Sequence, residues 1–215
     1  RSQYTDGKWT KWKKVTTAKK DVTSYTDKKA ESGVKYKYTV KAINGKVKSS
    51  IKSTDSLVRL KTTTLKVAAR ANGIKLSWSK VAGATQYKLY RSELQNGKWS
   101  SWSTLTKVEA ANTTFVDNTV KPGVTYKYSV KAVNGSSLGA RASSDKLLYL
   151  NSPDTSIVNG ETGMVVNWSK VDGAEKYIIY RSVENNGKWT KWKKVKTVKA
   201  STEYWVDETV ETDTN

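Results

Sequence analysis

The chain has 215 residues, of which 39 are Lys or Arg and 19 are Asp or Glu, so its formal net charge is +20. It contains no cysteine and no histidine, which excludes disulfides, thiolate metal sites and catalytic groupings that need an imidazole. No apolar run approaches the roughly 20 residues of a membrane-spanning helix, so we expect no membrane span. This composition argues against an enzyme, and we expect neither a cofactor nor a bound metal.

A period of 90 residues organises the chain. Gly-Lys-Trp recurs at residues 7–9, 97–99 and 187–189, and the stretch from Gly7 to Val15 is repeated identically from Gly187 to Val195. A fixed period of this size indicates one folding unit copied in tandem. We therefore divide the chain into a head segment (residues 1–60), a middle segment (61–150) and a tail segment (151–215), of which the middle one is a complete repeat.

Alternation of apolar and polar residues predicts the strands of the middle segment in chain order. It runs through residues 74–78, 87–89 and 126–132. A period of two is typical of half-buried antiparallel strands, and no stretch shows a helical stripe. The apolar positions that we expect in the core are Trp78, Tyr87, Tyr126, Tyr128 and Val130.

Asn-Gly and Asp-Gly pairs punctuate the strands, and at seven of them we predict a two-residue hairpin turn because both residue types adopt positive φ. They are Asp6-Gly7, Asn44-Gly45, Asn72-Gly73, Asn96-Gly97, Asn134-Gly135, Asn159-Gly160 and Asn186-Gly187. Short strands with regular turn signals predict a β-sandwich, so the expected fold class is all-β.

The residues before and within the predicted strand at 126–132 resemble a known family. Val120-Lys121-Pro122-Gly123-Val124-Thr125-Tyr126, followed by Tyr128 and Val130, is similar to the fibronectin type III pattern, in which a Pro-Gly turn leads into a tyrosine corner and strand F. Trp78 and Tyr87 match that family's core Trp of strand B and Tyr of strand C. The head segment departs from the pattern, with Ala30-Glu31-Ser32-Gly33 at the turn.

The resemblance covers the whole chain and implies tandem fibronectin type III (immunoglobulin-like) antiparallel β-sandwiches. Residues 78–92 also resemble repeats of large surface proteins of Gram-positive bacteria, which implies an extracellular location, cell-surface or secreted. In this alignment the head segment holds strands C′, E, F and G, and the tail segment holds strands A, B, C, C′ and E.

Two interpretations of the incomplete segments stay open. The chain is a window of a longer array, or the tail segment of one copy complements the head segment of the next and builds a filament. Charge suits the second interpretation, since the head has 16 basic and 5 acidic residues and the tail 9 and 10. The tail ends in an acidic cluster formed by Asp207, Glu208, Glu211 and Asp213.

The Trp-x-x-Trp pairs and their lysines are the candidate contact residues for a ligand or polyanion. They are Trp9, Trp12, Trp99, Trp102, Trp189 and Trp192, with Lys11, Lys13, Lys14, Lys191, Lys193 and Lys194. Residues three apart in a regular strand point to opposite faces, so one Trp of each pair is exposed unless a bulge intervenes. Such a Trp could stack on a sugar, or it could form a cation–π ladder with lysines of the neighbouring strand and stiffen the sheet.

Asp27, Asp117 and Asp207 recur after an aromatic residue, but no second acid recurs beside them. We therefore expect each Asp to accept backbone hydrogen bonds in a strand-end turn, with no catalytic or metal role.

The function that we expect is structural: a repeat array that acts as a stalk or spacer in an extracellular bacterial surface protein, with an outer face that adheres. The alternatives are a subunit of an extracellular filament and a module that binds carbohydrate or wall polyanion. The expected partners are neighbouring repeats, copies of the chain, or cell-wall polysaccharide or another polyanion. Nucleic acid is not expected, because no base-reading motif accompanies the charge.

Overall fold

A computed structural model describes residues 1–210, so Glu211 and Asp213 of the acidic cluster lie outside the described residues. The head strands are β1 (Ser2–Thr5), β2 (Lys8–Trp9), β3 (Lys35–Lys37), β4 (Ile43–Asn44), β5 (Val47–Lys48) and β6 (Leu57–Val58). The middle strands are β7 (Leu65–Arg70), β8 (Gly73–Trp78), β9 (Gln86–Gln95), β10 (Lys98–Trp99), β11 (Ser103–Glu109), β12 (Thr114–Asp117), β13 (Thr125–Asn134), β14 (Ser137–Leu138), β15 (Ala142–Ser143) and β16 (Leu147–Leu148). The tail strands are β17 (Thr155–Asn159), β18 (Met164–Trp168), β19 (Lys176–Arg181), β20 (Glu184–Asn185), β21 (Lys188–Trp189), β22 (Lys193–Lys199) and β23 (Tyr204–Asp207).

The middle segment is a two-sheet sandwich. One sheet has the order β12-β8-β7, which corresponds to strands E, B and A. In the other, β9 pairs with β10 and β11 on one side and with β13 on the other, and β13 pairs with β14, β15 and β16. This sheet corresponds to strands C′, C, F and G, and all pairings are antiparallel. The all-β fold of fibronectin type III sandwiches predicted from the sequence is confirmed.

Aromatic side chains fill the space between the two sheets. The residues predicted for the core, Trp78, Tyr87, Tyr126, Tyr128 and Val130, are all buried. The rings of Trp78 and Tyr87 meet edge to face, with centroids 5.4 Å apart. The hydroxyl of Tyr126 accepts a hydrogen bond from the backbone N–H of Lys121 at 2.9 Å, which is the tyrosine corner that the resemblance implied.

The turns differ in part from the prediction. Asp6-Gly7, Asn96-Gly97 and Asn186-Gly187 form two-residue turns with positive φ at both positions. At the other four pairs the register is different: Ala71-Asn72, Gly45-Lys46 and Gly135-Ser136 are the central residues, and residues 160–163 form a longer loop. Strand pairing, which decides which residue closes each hairpin, caused these shifts.

The tail segment contains the beginnings of both sheets of a sandwich. β17, β18 and β23 form an A-B-E sheet, and β19 pairs with β22. Residues 151–210 hold no counterpart of β13, so one edge of β19 has no partner strand in this part of the chain.

The head segment lacks the predicted strand E, and the counterpart of β11 at residues 13–19 forms no strand either. The counterpart of β12 falls at residues 24–27, and no strand forms between residues 10 and 34. β12 itself is held by pairing with β8, and residues 1–60 contain no counterpart of β8. The predicted strand E of the head is therefore wrong, because its partner strand B is missing.

None of the described residues, 1–210, forms a helix that is long and apolar enough to cross a membrane.

Candidate functional site

A bulged hairpin positions the Trp-x-x-Trp pair of the middle segment. Trp99 pairs with Leu94 of β9, the chain leaves the strand at residues 100–102, and β11 resumes at Ser103 opposite Arg91. The hydroxyl of Ser92 donates to the carbonyl of Ser100 at 2.7 Å and fixes this irregular stretch. The irregularity between the two tryptophans is the kind of interruption that would change which face each one meets.

Cationic side chains cover the aromatic rings on the outside of this sheet. The ammonium of Lys127, on β13, lies 4.1 Å from the ring centroid of Trp99. The guanidinium carbon of Arg141 lies 4.8 Å from the centroid of Tyr90 and 4.9 Å from that of Trp102. We call these five residues the outer row. Since Tyr87 and Leu89 are buried, strand alternation places Tyr90 on the face turned away from the core.

The head segment repeats the contact between tryptophan and lysine of the outer row. The ammonium of Lys37, on β3, lies 4.3 Å from the centroid of Trp9, and Tyr4 packs edge-on against the same ring at 5.3 Å. Trp12 is 44% exposed, compared with 36% for its counterpart Trp102. The predicted contact residues Lys11, Lys13 and Lys14 are all exposed beside Trp12 in sequence.

The tail tryptophans are uncovered. Trp189 is 70% exposed and Trp192 is 73% exposed, and Lys191, Lys193 and Lys194 are exposed as well. In the other two segments the covering lysine comes from β3 or β13, which correspond to strand F. Residues 151–210 contain no such strand, and this explains why Trp189 is open whereas its counterparts Trp9 and Trp99 are covered.

A second repeated group surrounds the aspartate at the end of strand E. In the middle segment, Asp117 is buried and accepts hydrogen bonds from Arg91 at 2.9 Å and from the hydroxyl of Tyr128 at 2.9 Å. Its other carboxylate oxygen accepts from the backbone N–H of Thr119 at 3.1 Å and from the Thr119 hydroxyl at 2.7 Å. We call this group the Asp cluster. The predicted backbone hydrogen bond in a strand-end turn is confirmed.

Asp27 and Asp207 occupy the same position in their segments. Arg1 donates to Asp27 at 2.7 Å and Arg181 donates to Asp207 at 2.8 Å. The hydroxyl of Tyr38 donates to Asp27 at 3.0 Å. Each cluster therefore neutralises its carboxylate within the fold.

The hydrogen bonds of these clusters shift the pKa values of their members. Burial alone would raise the pKa of Asp117, but the hydrogen bonds from Thr119, Arg91 and Tyr128 outweigh it and hold that pKa below its usual range. The pKa values of Asp27 and Asp207 are lowered in the same way. Burial and the hydrogen bond to Asp27 raise the pKa of Tyr38 to about 12. These carboxylates are ionised and their oxygens already accept hydrogen bonds within the fold, so they have a structural role.

A polar cleft of about 610 Å³ lies where the head and middle segments meet. Four lysines are among its lining residues: Lys28, Lys29, Lys61 and Lys80. Within residues 1–210 no three Asp or Glu side chains converge as a metal site would require. The cleft offers positive charge to an anion, and Glu31 is the one acidic residue in its lining.

Sequence pattern alone identified the tryptophans but not their covering cations. Lys37 and Lys127 are separated by the repeat period, as are Arg1, Arg91 and Arg181. Pairing the periodic lysines with the periodic tryptophans, and the periodic arginines with the periodic aspartates, would have pointed to both groups.

The chain is similar to fibronectin type III-like proteins. No protein-family model matches it. Over 84 residues, 39% of its length, it is 34% identical to the amylopullulanase of Thermoanaerobacterium saccharolyticum, of which it spans 6%. Among solved structures it is similar to an Fn3-like protein from Clostridium thermocellum, with 25% identity over 42% of this chain and 90% of that one, at a TM-score of 0.31. It is also similar to the segment of two fibronectin type III domains from chicken tenascin, with 19% identity over 66% and 80% of the chains, at a TM-score of 0.38.

Proposed function

We propose that the chain is a spacer in a larger extracellular bacterial protein, in which tandem fibronectin type III sandwiches hold other parts apart. The observation that carries this proposal is the coverage of Trp9 by Lys37 and of Trp99 by Lys127. Wherever strand F is present, the conspicuous outer tryptophan already has a partner within its own segment. Such a face stiffens a sheet and leaves little ring surface for a ligand.

The similarity to a stretch of amylopullulanase supports a place within a larger protein. The matching stretch is 6% of that enzyme, which is a bacterial protein. In our proposal the segments are non-catalytic parts of a longer chain, and we place their boundaries at residues 60/61 and 150/151.

The length of the array tests the spacer proposal. The chain is placed between a surface anchor and a fluorescent reporter, with one, two or three copies of residues 61–150. We expect the height of the reporter above the surface, measured by fluorescence interference, to increase by a constant step per copy. A height that does not change with copy number would contradict a spacer.

A second candidate is binding of carbohydrate or wall polyanion, and the exposure of Trp189 and Trp192 favours it. Two open indole rings beside exposed lysines can stack on sugar rings and attract negative groups. We would measure binding of the whole chain to amylopectin as a neutral probe and to heparin as a polyanion, each at low and high salt.

The tryptophan pairs supply a matched control for this candidate. Binding that is lost in a Trp189→Ala, Trp192→Ala double variant and kept in a Trp99→Ala, Trp102→Ala variant would establish the tail as the site. Binding that both variants keep would remove the tryptophans from the site. Heparin binding that salt abolishes in every variant would assign it to the overall charge.

The filament is the third candidate, favoured by the unpaired edge of β19 and by the charge difference between head and tail. Docking must bring β3 of one copy to β19 of another. However, β3 already pairs with β1 of its own segment, and this pairing must open first. Light scattering at increasing protein concentration tests it, since only a filament grows with concentration.

A further inference from the structure

Two glycine turns meet at both boundaries between segments. Gly33 lies in the turn before β3, and Gly83 lies in the turn between β8 and β9 of the next segment. A Cβ atom placed on Gly83 would lie 2.5 Å from the Cα of Gly33. At the second boundary, a Cβ on Gly173 would lie 2.7 Å from the Cα of Gly123. The two contacts are related by the repeat period, so the same joint is built twice.

Glycine is favoured at all four positions. All four residues have positive φ, between +76° and +88°, and a Cβ on Gly83 or Gly173 would clash with a backbone atom that cannot rotate away. Other positive-φ glycines of the chain show that the turn conformation alone does not need this proximity. At five of them, all in hairpin turns, a Cβ atom would meet no other atom within 4 Å: Gly7, Gly45, Gly97, Gly135 and Gly187.

The first boundary has further contacts. The hydroxyl of Ser137 accepts a hydrogen bond from the backbone N–H of Val58 at 2.8 Å, and the hydroxyl of Ser32 donates to the carbonyl of Ala82 at 3.3 Å. Leu60 is buried in the core cluster of the middle segment. The end of strand G of one segment is thus seated against the next segment.

At the second boundary the glycine contact stands without that cover. Leu148 and Leu150 are the counterparts of Val58 and Leu60, and they are 41% and 38% exposed. At the first boundary Val58 is contacted by Ser137, in the hairpin of β13 and β14. Residues 151–210 contain no equivalent of this hairpin. The glycine contact is therefore the part of the joint that both boundaries share.

We propose that the turn before strand F of each segment and the turn between strands B and C of the next form a fixed joint. The partner of this surface is the following repeat of the same chain. Motion about a linker is the usual behaviour of neighbouring domains, but close-packed backbone on both sides leaves this joint one relative orientation. The joint can be measured whether or not the array serves as a spacer.

Spin labels test the joint, because the chain has no native cysteine. Nitroxides are attached at Thr5→Cys and Lys107→Cys, which are exposed positions on β1 and β11. Double electron–electron resonance then gives the distribution of distances between the head and middle segments. We expect a single narrow distribution in the otherwise unmodified chain.

Gly83→Ala is the test variant and Gly97→Ala is its matched control. Both put a Cβ on a glycine with positive φ, at +80° and +75°, but only Gly83 faces another segment. We expect Gly83→Ala to shift the distance distribution and to make it roughly twice as broad, since packed backbone is displaced and not compressed. Gly97→Ala should leave the distribution unchanged.

Gly33→Ala approaches the same joint from the other segment and should shift the distribution less than Gly83→Ala, because its Cβ would lie 3.2 Å from Ala82. Ser137→Ala, which removes only the acceptor for Val58, serves if either glycine variant unfolds as judged by circular dichroism. A broad distribution in the unmodified chain would overturn the proposal. So would variants at Gly33, Gly83 and Ser137 that fold and give the same distribution as Gly97→Ala.

Discussion

At the scale of single residues, the fold depends on buried polar groups that are fully paired. Asp117 accepts four hydrogen bonds from three residues. The carboxylate oxygen that pairs with Arg91 also accepts a hydrogen bond from the hydroxyl of Tyr128. A buried ion pair adds little when it is intact, because desolvation offsets the attraction, but its loss leaves an uncompensated charge. The Asp cluster thus fixes where strands C, E and F meet.

The lowered pKa of Asp117 makes the stability of the middle segment depend on acid. The folded chain keeps this carboxylate ionised at a pH where the unfolded chain takes up a proton near its usual pKa of about 3.9. The free energy of unfolding should therefore be constant above about pH 5 and fall as the pH decreases through and below 4. Urea unfolding between pH 7 and pH 2.5, followed by tryptophan fluorescence, measures this dependence.

Asp117→Asn is the control for that dependence. It should destabilise the middle segment at pH 7 by about 3 kcal/mol, the lower end for a broken buried pair because Arg91 still reaches solvent. It should also flatten the acid-dependent loss. A variant with the same slope of stability against pH would show that other carboxylates dominate.

Trp78 tests the core at the same scale. The indole is buried against Tyr87, so Trp78→Ala should lower the free energy of unfolding by about 3–5 kcal/mol, the usual cost of removing a large buried aromatic side chain. Trp102→Ala removes an equally large side chain that is 36% exposed, and it should cost less than about 1 kcal/mol. A loss below about 1 kcal/mol for Trp78→Ala in denaturant would place that residue outside the core.

At the scale of strands and turns, the sequence pattern predicts the elements that depend on residues near in sequence. It fails for strands and contacts that depend on pairing with a distant strand. Alternation along 74–78 and 126–132 identified β8 and β13 because each face of those strands has one environment. The turn Asn96-Gly97 was predictable because both residues favour positive φ. The head strand E was not, since residues 24–27 have the sequence of a strand but no partner strand. The cover over Trp99 was missed as well, because Lys127 is distant in sequence and joins it only through the pairing of β9 with β13.

The contact between Trp99 and Lys127 should couple strands C′ and F by about 0.5–1 kcal/mol, the range for a cation–π pair at an exposed site. A double-mutant cycle of Trp99→Ala and Lys127→Ala, measured by denaturant unfolding, gives this coupling directly. The matched control is a second cycle, of Trp99→Ala and Lys131→Ala. Lys131 is on the same face of β13, but it pairs with Lys88 at the other end of the sheet. Equal coupling in the two cycles would mean that charge in general, and not the ring contact, links these strands.

At the scale of the whole molecule, the same sequence period gives segments of very different order. The middle segment closes two sheets over a common core, whereas residues 10–34 of the head contain no strand and are largely exposed. Stability in a protein is lowest where buried contacts and paired backbone are few. Local opening of the head should therefore occur far more often than opening of the middle segment.

Limited proteolysis measures this difference. Trypsin should cleave at Lys13, Lys19 or Lys28 at least about ten times faster than at Lys127 or Lys131, because cleavage needs a locally opened chain. Mass spectrometry of a time course should then show a persistent fragment that contains residues 61–150. Chymotrypsin controls for the density of lysines, since it cleaves after aromatic residues and should cut at Tyr25 long before Tyr126 or Tyr128. Equal rates in head and middle with both proteases would mean that the head is held as firmly as the complete sandwich, and by contacts other than paired strands.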